Sequence, residues 1–414
     1  MMGKLIAIIV IVLGVVALAQ LIRIYELNSK LRNSGENEVI NRDNKLNGKL
    51  MLAFMAFFFL GFIYLMYKYG WTGRGEAASV HGRDLDSLLN LNFVIIIIVF
   101  FLTNFLLFFF AYKYTRKPGV AAFYYPHNNK LEMLWTVVPA AVLAVIIILG
   151  LKTWNSVTDN AKKESIRVEL FSRQWNWIAR YSGDDNTLGN FDYKLTTAKN
   201  QLGLLTSNTI DSAIFEMEYG VEGIKTLEDK LNDNTIMLVP EEKELMIVKL
   251  DRKERLIRLL YQMKARHNKK VDAFAWDDII EDKTLYLCEN KEYEFIFRSQ
   301  DVIHSAYFPH FRAQMNTVPG LTTRFKFTPN ITTKQMRVIK QDNNFDYILL
   351  CNKICGGAHY NMFMKVVVLP EEEYVIQMNK MKAENTFKHL YFPVVGDPVA
   401  PAETTTDLTA VVAK

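Results

Sequence analysis

The chain has 414 residues, of which 50% are hydrophobic, and 49 basic and 44 acidic side chains give a formal net charge of +5. A charge this small does not indicate nucleic-acid binding, and we find neither a Gly-rich phosphate loop nor an internal repeat. The hydrophobic residues are concentrated in the first 151 positions. This distribution predicts a membrane part followed by a large aqueous domain.

The membrane part contains four apolar stretches, at about 5–22, 50–67, 92–112 and 133–151. Each is close to the ~20 residues that a helix needs to cross a bilayer. The first stretch also has the pattern of a signal peptide, with a positively charged start and the cleavage-like Ala17-Leu18-Ala19.

The distribution of basic residues favours four spans over three. Segments 23–49 and 113–131 hold ten Lys or Arg residues, whereas segments 1–4 and 68–91 hold four. Cytoplasmic loops carry the excess of positive charge, so this bias places the domain after residue 151 on the outer side.

The aqueous domain has the sequence pattern of a β protein. Short runs rich in β-branched and aromatic residues, bounded by turn formers, predict strands in Ser165–Tyr181, Thr284–Arg298, Leu321–Pro329, Lys334–Lys340, Tyr347–Cys351 and Met364–Leu369. Several such strands predict a Greek-key sandwich or barrel.

Two segments of this part depart from the strand pattern. A long insertion occupies about 184–276, and Glu241–Lys270 within it has helical spacing with ten basic and five acidic residues. We interpret Glu241–Lys270 as an amphipathic helix that covers the barrel, with a partner-docking surface as the alternative. The tail, residues 386–414, is rich in Pro, Ala and Thr towards its end and is predicted to be disordered.

The run from Cys351 to Met362 carries the most specific chemistry. Its two thiols, imidazole and thioether (Cys351, Cys355, His359 and Met362) are spaced four, four and three residues apart. Such soft ligands select copper, zinc or an iron–sulfur cluster, and the thioether favours copper. Structural zinc, a mononuclear blue-copper site, a disulfide and a plain buried loop are the alternatives. The third cysteine, Cys288, lies outside the run, and we interpret it as a packing residue.

Three segments together resemble subunit II of the haem–copper cytochrome c oxidases. They are Asp301-Val302-Ile303-His304-Ser305, Val318-Pro319-Gly320-Leu321 and the run from Cys351 to Met362. The resemblance implies a binuclear copper centre, CuA, held by two cysteines, two histidines, a methionine and one backbone carbonyl. Carried over by motif, these ligands are His304, Cys351, the carbonyl of Lys353, Cys355, His359 and Met362.

Lys353 is a departure from the family pattern. Members commonly have glutamate at this place, and its carboxylate binds Mg²⁺ at the junction with subunit I. An ammonium group offers Mg²⁺ no oxygen ligand, so the magnesium site is expected to be absent or rebuilt from other groups.

The membrane part carries a further portion of the resemblance. Leu131-Glu132-Met133-Leu134-Trp135-Thr136 is similar to the family's segment that enters its last membrane helix. Residues 91–155 then correspond to the family's helical hairpin, and residues 1–90 form an N-terminal extension with two further spans. In the family, the glutamate corresponding to Glu132 lies at the mouth of a proton channel. The alternative is an interfacial carboxylate that reaches water.

The resemblance also implies a fold for residues 156–385. They are expected to form a cupredoxin-like barrel with the copper ligands on loops at one end and a partly helical insertion. Gln174-Trp175-Asn176-Trp177 is similar to the family's aromatic strand, so Trp175 is expected to receive electrons first. A core aromatic is the alternative for Trp175.

The function implied is that of a respiratory oxidase subunit in a bacterial cytoplasmic membrane, with its copper domain on the periplasmic side. Electrons pass from cytochrome c, or a cytochrome c domain, to CuA and on to haem in subunit I, which reduces oxygen and translocates protons. Expected partners are subunit I, other membrane subunits and the bilayer. The absence of a Cys-x-x-Cys-His motif indicates that this chain carries no covalent haem.

Three other classes of protein share parts of this pattern. A quinol-oxidase subunit II has a similar architecture without the copper ligands, and a copper-binding module would bind the metal without transferring electrons. Nitrous oxide reductase has a CuA domain but needs a second, large copper domain, for which this chain has no room.

Overall fold

The computed structural model describes residues 2–31, 36–70, 73–117, 119–233, 237 and 239–392. Of residues 2–11, 29–31 and 36–40, only the helical backbone is described. The chain divides into two compact units. Met1–Gly75 and Ser87–Gly150 form a helical unit, and Glu76–Asp86 with Leu151–Lys414 form a β-rich unit.

The helices that supply the first unit are long and apolar. They are α1 (Met2–Leu31), α2 (Glu36–Tyr69), α3 (Val80–Lys113) and α4 (Asn129–Thr158). Within the described residues, three stretches have the length and hydropathy of a membrane span, namely Asn41–Tyr69, Val80–Lys113 and Asn129–Thr158. Three predicted spans are thereby supported, and the predicted span at 5–22 falls partly on residues whose side chains lie outside the described part.

Phenylalanine rings hold α2 and α3 together. The ring centroids of Phe54 and Phe108 are 5.6 Å apart, and those of Phe62 and Phe100 are 4.8 Å apart. The contacting residue on α3 has a lower number when the residue on α2 has a higher one, so the two helices are antiparallel. The outward face stays apolar, with Phe57 73% exposed, as suits a helix that meets lipid or another membrane subunit.

The β-rich unit has two five-stranded sheets. The strands are β1 (Ile166–Arg173), β2 (Asn176–Tyr181), β3 (Ile279–Glu281), β4 (Thr284–Cys288), β5 (Tyr293–Ser299), β6 (His304–Phe308), β7 (Ala313–Thr317), β8 (Thr323–Phe327), β9 (Tyr347–Cys351) and β10 (Phe363–Leu369). Their orders are β3-β2-β1-β5-β8 and β4-β10-β9-β6-β7. Both sheets are mixed, because β1 pairs with β5 and β4 with β10 in parallel.

One apolar core joins the inner faces of the two sheets. Leu170 and Phe295 contribute from the first sheet, and Leu349 and Val366 from the second, all fully buried. Inward and outward side chains alternate along β9 as expected for a strand with one buried face. The predicted β-rich domain is therefore confirmed.

One predicted strand is wrong. Lys334–Lys340 lies in a helix, α9 (Thr333–Lys340). The Thr332 side chain accepts a hydrogen bond from the backbone N–H of Gln335, whose side chain in turn accepts from the backbone N–H of Thr332. This reciprocal capping box starts a helix, and it outweighs the strand preference of the branched residues Val338 and Ile339.

Helices occupy much of the segment predicted as an insertion. They are α5 (Ser207–Tyr219), α6 (Ile224–Asn232), α7 (Pro240–Arg266) and α8 (Ala273–Trp276). Helix α7 covers most of the predicted amphipathic stretch. Its buried residues Ile257 and Leu260 pack on Ile210 and Ile214 of α5. The prediction that this helix covers the barrel is therefore wrong, since its apolar face completes a separate helical core.

The C-terminal end of the described chain is helical as well, in α10 (Glu371–Asn385) and α11 (Phe387–Tyr391). Phe387 is 2% exposed and stacks on Trp276 with the ring centroids 5.3 Å apart. The prediction of disorder from residue 386 is therefore wrong for the first residues of the tail, because aromatic packing anchors them. Residues 393–414 lie outside the described part.

A buried ionic network ties the insertion to the first sheet. Glu169 on β1 pairs with Arg180 on β2 and Arg298 on β5. Arg180 Nη1 also donates to Asp278 Oδ2 at 2.7 Å, and Arg298 Nη2 donates to the Leu202 carbonyl at 3.1 Å. Burial raises the pKa of Asp278 to about 7 despite Arg180. Burial opposes ionisation of Glu169 too, but Arg180 and Arg298 hold the pKa of that carboxyl below its usual value.

Glu169→Gln should destabilise the β-rich unit by about 3–5 kcal/mol, because it leaves two buried guanidinium groups without their shared carboxylate. Urea unfolding of the purified chain, followed by near-ultraviolet circular dichroism, measures the effect. Glu222→Gln is the matched control, since Glu222 pairs with Lys249 at an exposed site, 3.5 Å apart. Equal unfolding midpoints for the two variants would contradict the prediction.

Candidate metal centre

The predicted metal ligands come from two strand ends and one loop. His304 begins β6, Cys351 ends β9, and Cys355, His359 and Met362 lie in the connection from β9 to β10. Strands β6 and β9 are paired, with Ala306 opposite Cys351, so His304 is close to Cys351 although 47 residues separate them.

Backbone hydrogen bonds close the loop on itself. The Cys351 N–H donates to the Met362 carbonyl at 3.0 Å, and the Asn352 N–H donates to the Ser305 carbonyl at 3.0 Å. The first bond brings the two ends of the loop together, and the second fixes the loop to β6. The five predicted ligand side chains therefore belong to one hydrogen-bonded assembly.

The two sulfur atoms of the cysteines lie at the middle of the donor set, 3.8 Å apart. Cys351 Sγ is 3.9 Å from His304 Nδ1 and 3.2 Å from the Lys353 carbonyl oxygen. Cys355 Sγ is 3.5 Å from His359 Nδ1 and 3.8 Å from Met362 Sδ. Each sulfur thus has one imidazole and one weaker donor beside it. The structure brings together all six predicted donors.

The centre of this donor set is shielded from water. His304 is fully buried, Cys351 and Cys355 are buried, and Met362 is 1% exposed. Both thiols are free rather than joined in a disulfide. Burial, together with the hydrogen bond to Cys351, raises the pKa of the Cys355 thiol to about 12. A bound cation would offset that cost, which is how thiolates are stabilised in metal sites.

Asp301 orients the first histidine. Its Oδ1 lies 2.9 Å from His304 Nε2, and its two oxygens accept the backbone N–H groups of Gln174 and Val302, each at 2.7 Å. A proton on Nε2 leaves Nδ1, which faces Cys351, as the available lone pair. Burial opposes ionisation of Asp301, but these hydrogen bonds hold the pKa of the carboxyl below its usual value. Sequence reasoning assigned Asp301 no role, although its position in the turn before His304 was a usable signal.

Trp175 lies beside the second cysteine. Its indole is 42% exposed, and a Cβ built on Gly356 would lie 3.0 Å from its ring. The neighbouring Gln174 side chain donates to the Cys355 carbonyl at 2.5 Å. Trp177, two residues on, is instead fully buried, with its ring centroid 6.3 Å from that of His304. One tryptophan of the pair therefore faces solvent near the donor set, and the other supports it from inside.

The remaining predicted residues lie elsewhere. Glu132 is in the first turn of α4, in the helical unit, where its Oε1 accepts the Asn128 backbone N–H at 3.1 Å and lies 3.9 Å from His127 Nδ1. The Lys353 side chain is exposed, whereas its carbonyl faces Cys351. Cys288 is buried on β4 outside the donor set, and burial raises the pKa of its thiol.

Comparisons with known proteins point in one direction. Residues 71–153 match the family described as "Cytochrome C oxidase subunit II, transmembrane domain". The chain is 25% identical over 299 residues to the alternative cytochrome c oxidase subunit 2 of Bradyrhizobium diazoefficiens, covering 72% of this chain and 80% of that protein. It is 23% identical over 249 residues to a probable cytochrome c oxidase subunit 2 of Streptomyces avermitilis, covering 60% of this chain and 59% of that protein.

Similarity to solved structures is weaker. The periplasmic domain of subunit II of cytochrome oxidase from Bradyrhizobium japonicum aligns with 55% of this chain and 100% of its own length, at 12% identity and a TM-score of 0.27. A score of this size establishes no shared fold.

Asp301→Asn should weaken metal binding at the cysteine–histidine cluster by about 10–100-fold, the usual cost of losing a hydrogen-bond partner of a ligating histidine. Titration of the purified chain with Cu²⁺ against a competing chelator measures it. Asp342→Asn is the control, because Asp342 accepts a backbone hydrogen bond from Asn344 in a turn outside the donor loops. Unchanged affinity in Asp301→Asn would show that the carboxylate does not orient His304.

Proposed function

The chain is a member of the cytochrome c oxidase subunit II family, and on that premise we propose that it accepts electrons at a binuclear copper centre. The donor is cytochrome c or a cytochrome c domain, and the acceptor is haem in subunit I. Oxygen reduction and the proton translocation coupled to it take place in subunit I. This chain is therefore part of an oxidoreductase whose oxygen chemistry lies in another subunit.

The observation that carries the proposal is the composition and spacing of the donor set. Two thiols, two imidazoles, a thioether and a carbonyl converge on one buried place. A zinc site closes with four ligands and has no use for a thioether, and a blue-copper site needs one cysteine. Two sulfurs 3.8 Å apart, each with its own imidazole, form a donor set that would hold a binuclear copper centre.

His304, Cys351, Cys355, His359, Met362 and the Lys353 carbonyl would hold the metal. The centre would supply one-electron transfer. The protein's part is to exclude water from the sulfurs, to orient His304 through Asp301, and to keep an aromatic surface, Trp175, in contact with Gly356 beside Cys355. Trp175 is the residue on which we propose that electrons arrive.

We extend the proposal to the finer architecture. The two sheets belong to a cupredoxin-like Greek-key barrel, and α1 is a fourth membrane span. Residues 1–90, 91–155 and 156–385 are the N-terminal extension, the membrane hairpin and the copper domain. The chain lies in a bacterial cytoplasmic membrane with the copper domain on the periplasmic side, beside subunit I. Three apolar helices and the positive-inside bias support this arrangement.

Lys353 does not fit a magnesium ligand. Mg²⁺ is bound by oxygen atoms, and the ammonium group of Lys353 has no lone pair to offer. We propose that the magnesium site found in the family is either absent or made by subunit I and water. The side chains around Mg²⁺ in a structure of the assembled oxidase test this directly.

Cys351→Ser and Cys355→Ser should each abolish the binuclear copper signal, because a hydroxyl is a poor ligand for a soft metal and cannot bridge two copper ions. Electron paramagnetic resonance of the copper-loaded chain measures this, since the parent protein should show hyperfine splitting shared over two equivalent coppers. Cys288→Ala is the control and should leave the spectrum unchanged. A mononuclear signal in the parent chain would refute the proposal and favour a simple copper-binding module.

We also propose that Glu132 lies at the entrance of a proton path. Glu132→Gln should slow oxygen turnover of the assembled oxidase by about twofold or more while the copper spectrum stays the same, because an amide cannot release a proton. Glu371→Gln is a matched control, since Glu371 is also in the first turn of a helix, α10. Equal turnover of Glu132→Gln and the parent oxidase across the pH range would reduce Glu132 to an interfacial carboxylate.

A further inference from the structure

Trp175 lies at the edge of a continuous surface formed by the β-sandwich and the insertion. Arg173 and Gln300, together with Thr196, Thr197 and Gln201 of the insertion, line a depression of about 420 Å³. Arg173 directly precedes Gln174 and Trp175. Gln300 directly precedes Asp301, which accepts the Gln174 backbone N–H. The depression therefore adjoins the two segments that contact the donor set.

A larger cavity of about 680 Å³ continues from the same depression, since Thr196 and Gln300 line both. Phe191 and Tyr193 of the insertion line this cavity, together with the 318–322 loop. Arg298 also lines the cavity, with its guanidinium carbon 3.4 Å from the centroid of the Phe191 ring. A cavity of this size accommodates several apolar side chains or a small ligand.

The exposed side chains of this surface are mostly apolar. Trp175 is 42% exposed, Tyr193 75% and Leu321 58%. An exposed apolar patch next to a candidate redox centre is a candidate docking surface for another molecule. Because electrons must reach Trp175 from outside the chain, the occupant we consider is a one-electron carrier protein.

The charges on this surface are biased towards positive. Segments 173–176, 191–202, 299–303, 317–322 and 352–363 contain four basic residues, namely Arg173, Lys194, Lys199 and Lys353, and two acidic residues. Asp192 Oδ1 accepts the backbone N–H of Lys194 at 2.9 Å and lies 3.3 Å from its ammonium, and Asp301 holds His304. Arg173, Lys199 and Lys353 are therefore the residues that carry the positive bias. The surface would repel a carrier whose docking face is basic.

We propose that the electron donor docks over Trp175 and the adjoining cavity, and that it is a redox protein with an apolar docking face rimmed by carboxylates. The inserted segment 191–202 supplies part of the surface and so selects the donor. The proposal rests on the proposed function, because it presumes that electrons enter beside Cys355. The contact is apolar at its centre, and the charges set the rate of encounter.

Two reduced c-type cytochromes of opposite net charge and similar potential serve as probes. Each is mixed rapidly with the full chain carrying copper in detergent, and its oxidation is followed optically over a range of salt concentrations. At low salt the acidic probe should react at least about tenfold faster than the basic one, since electrostatic steering changes association rates by 10–10³-fold. Salt should slow the acidic probe and speed the basic one. The reverse pattern would overturn the proposal.

Charge-reversal variants locate the surface. Arg173→Glu and Lys199→Glu should each slow the acidic probe by about three- to tenfold, because rim charges act on the association rate. Lys163→Glu is the matched control: Lys163 is exposed and precedes the start of the eight-residue strand β1, whereas Arg173 ends it. Tyr193→Ala should weaken binding of both probes, measured as the dissociation constant. Unchanged binding would remove the insertion from the docking surface.

Two further measurements separate this proposal from the proposed function. Suppose that the chain shows the binuclear copper spectrum and is reduced by ascorbate, but that Arg173→Glu and Lys199→Glu react with both cytochromes at the same rates as the Lys163→Glu control. The proposed function is then retained and the docking surface is refuted. A chain without that spectrum loses both. In the assembled oxidase, loss of the effects of Arg173→Glu and Lys199→Glu would mean that another subunit covers this face, which also overturns the proposal.

Discussion

The β-rich unit has to hold two thiols 3.8 Å apart inside the protein, and this requirement governs the arrangement of the strands and the loop around them. Cys355 cannot ionise cheaply where it is, since burial raises the pKa of its thiol to about 12. The pairing of β6 with β9 and the hydrogen bond that closes the loop hold the thiols, the imidazoles and the thioether in place. Strand pairing and the hydrogen bonds of the loop thus bring donors that are distant in sequence to one place.

At this end of the sandwich the cysteine sulfurs are buried while the nearby Trp175 side chain is exposed, and Gly356 allows the two to lie close together. Its φ of +130° is a conformation that side-chain-bearing residues rarely adopt, and a Cβ there would meet Gln174 at 2.8 Å and Trp175 at 3.0 Å. With no side chain at 356, the indole lies directly on the loop backbone next to Cys355. An exposed aromatic ring is thereby brought close to the buried Cys355.

Sequence reasoning could propose the donor set because two thiols, an imidazole and a thioether spaced four, four and three residues apart are typical ligands of a soft metal, and the structure brings these groups together. It could not show that His304 begins a strand, since β6 is short and its pairing with β9 spans a long sequence separation. The Lys334–Lys340 prediction failed because Thr332 and Gln335 start a helix through side-chain hydrogen bonds that hydrophobic patterning does not register. Asp301 was overlooked although it lies three residues before His304, because its hydrogen bonds to His304 and Gln174 depend on a three-dimensional placement that the sequence does not show.

The sequence pattern predicted less about the insertion than about any other part of the domain. In the structure, the insertion is held in two ways, by packing of its helices and by hydrogen bonds to the first sheet. Helices α5 to α7 pack on one another through a small core that includes Ile210 and Leu260, whereas Ala275 of α8 packs against Phe171 and Ile178 of the first sheet. The segment before them is instead tied to the sheet, where Arg298 reaches the Leu202 carbonyl and Arg180 reaches the Gly189 carbonyl. Both arginines are themselves held by Glu169, so this attachment depends on the buried ionic network of the first sheet. The 191–202 segment is accordingly held beside Arg173, which lines one depression with Thr196 and Gln201 of that segment.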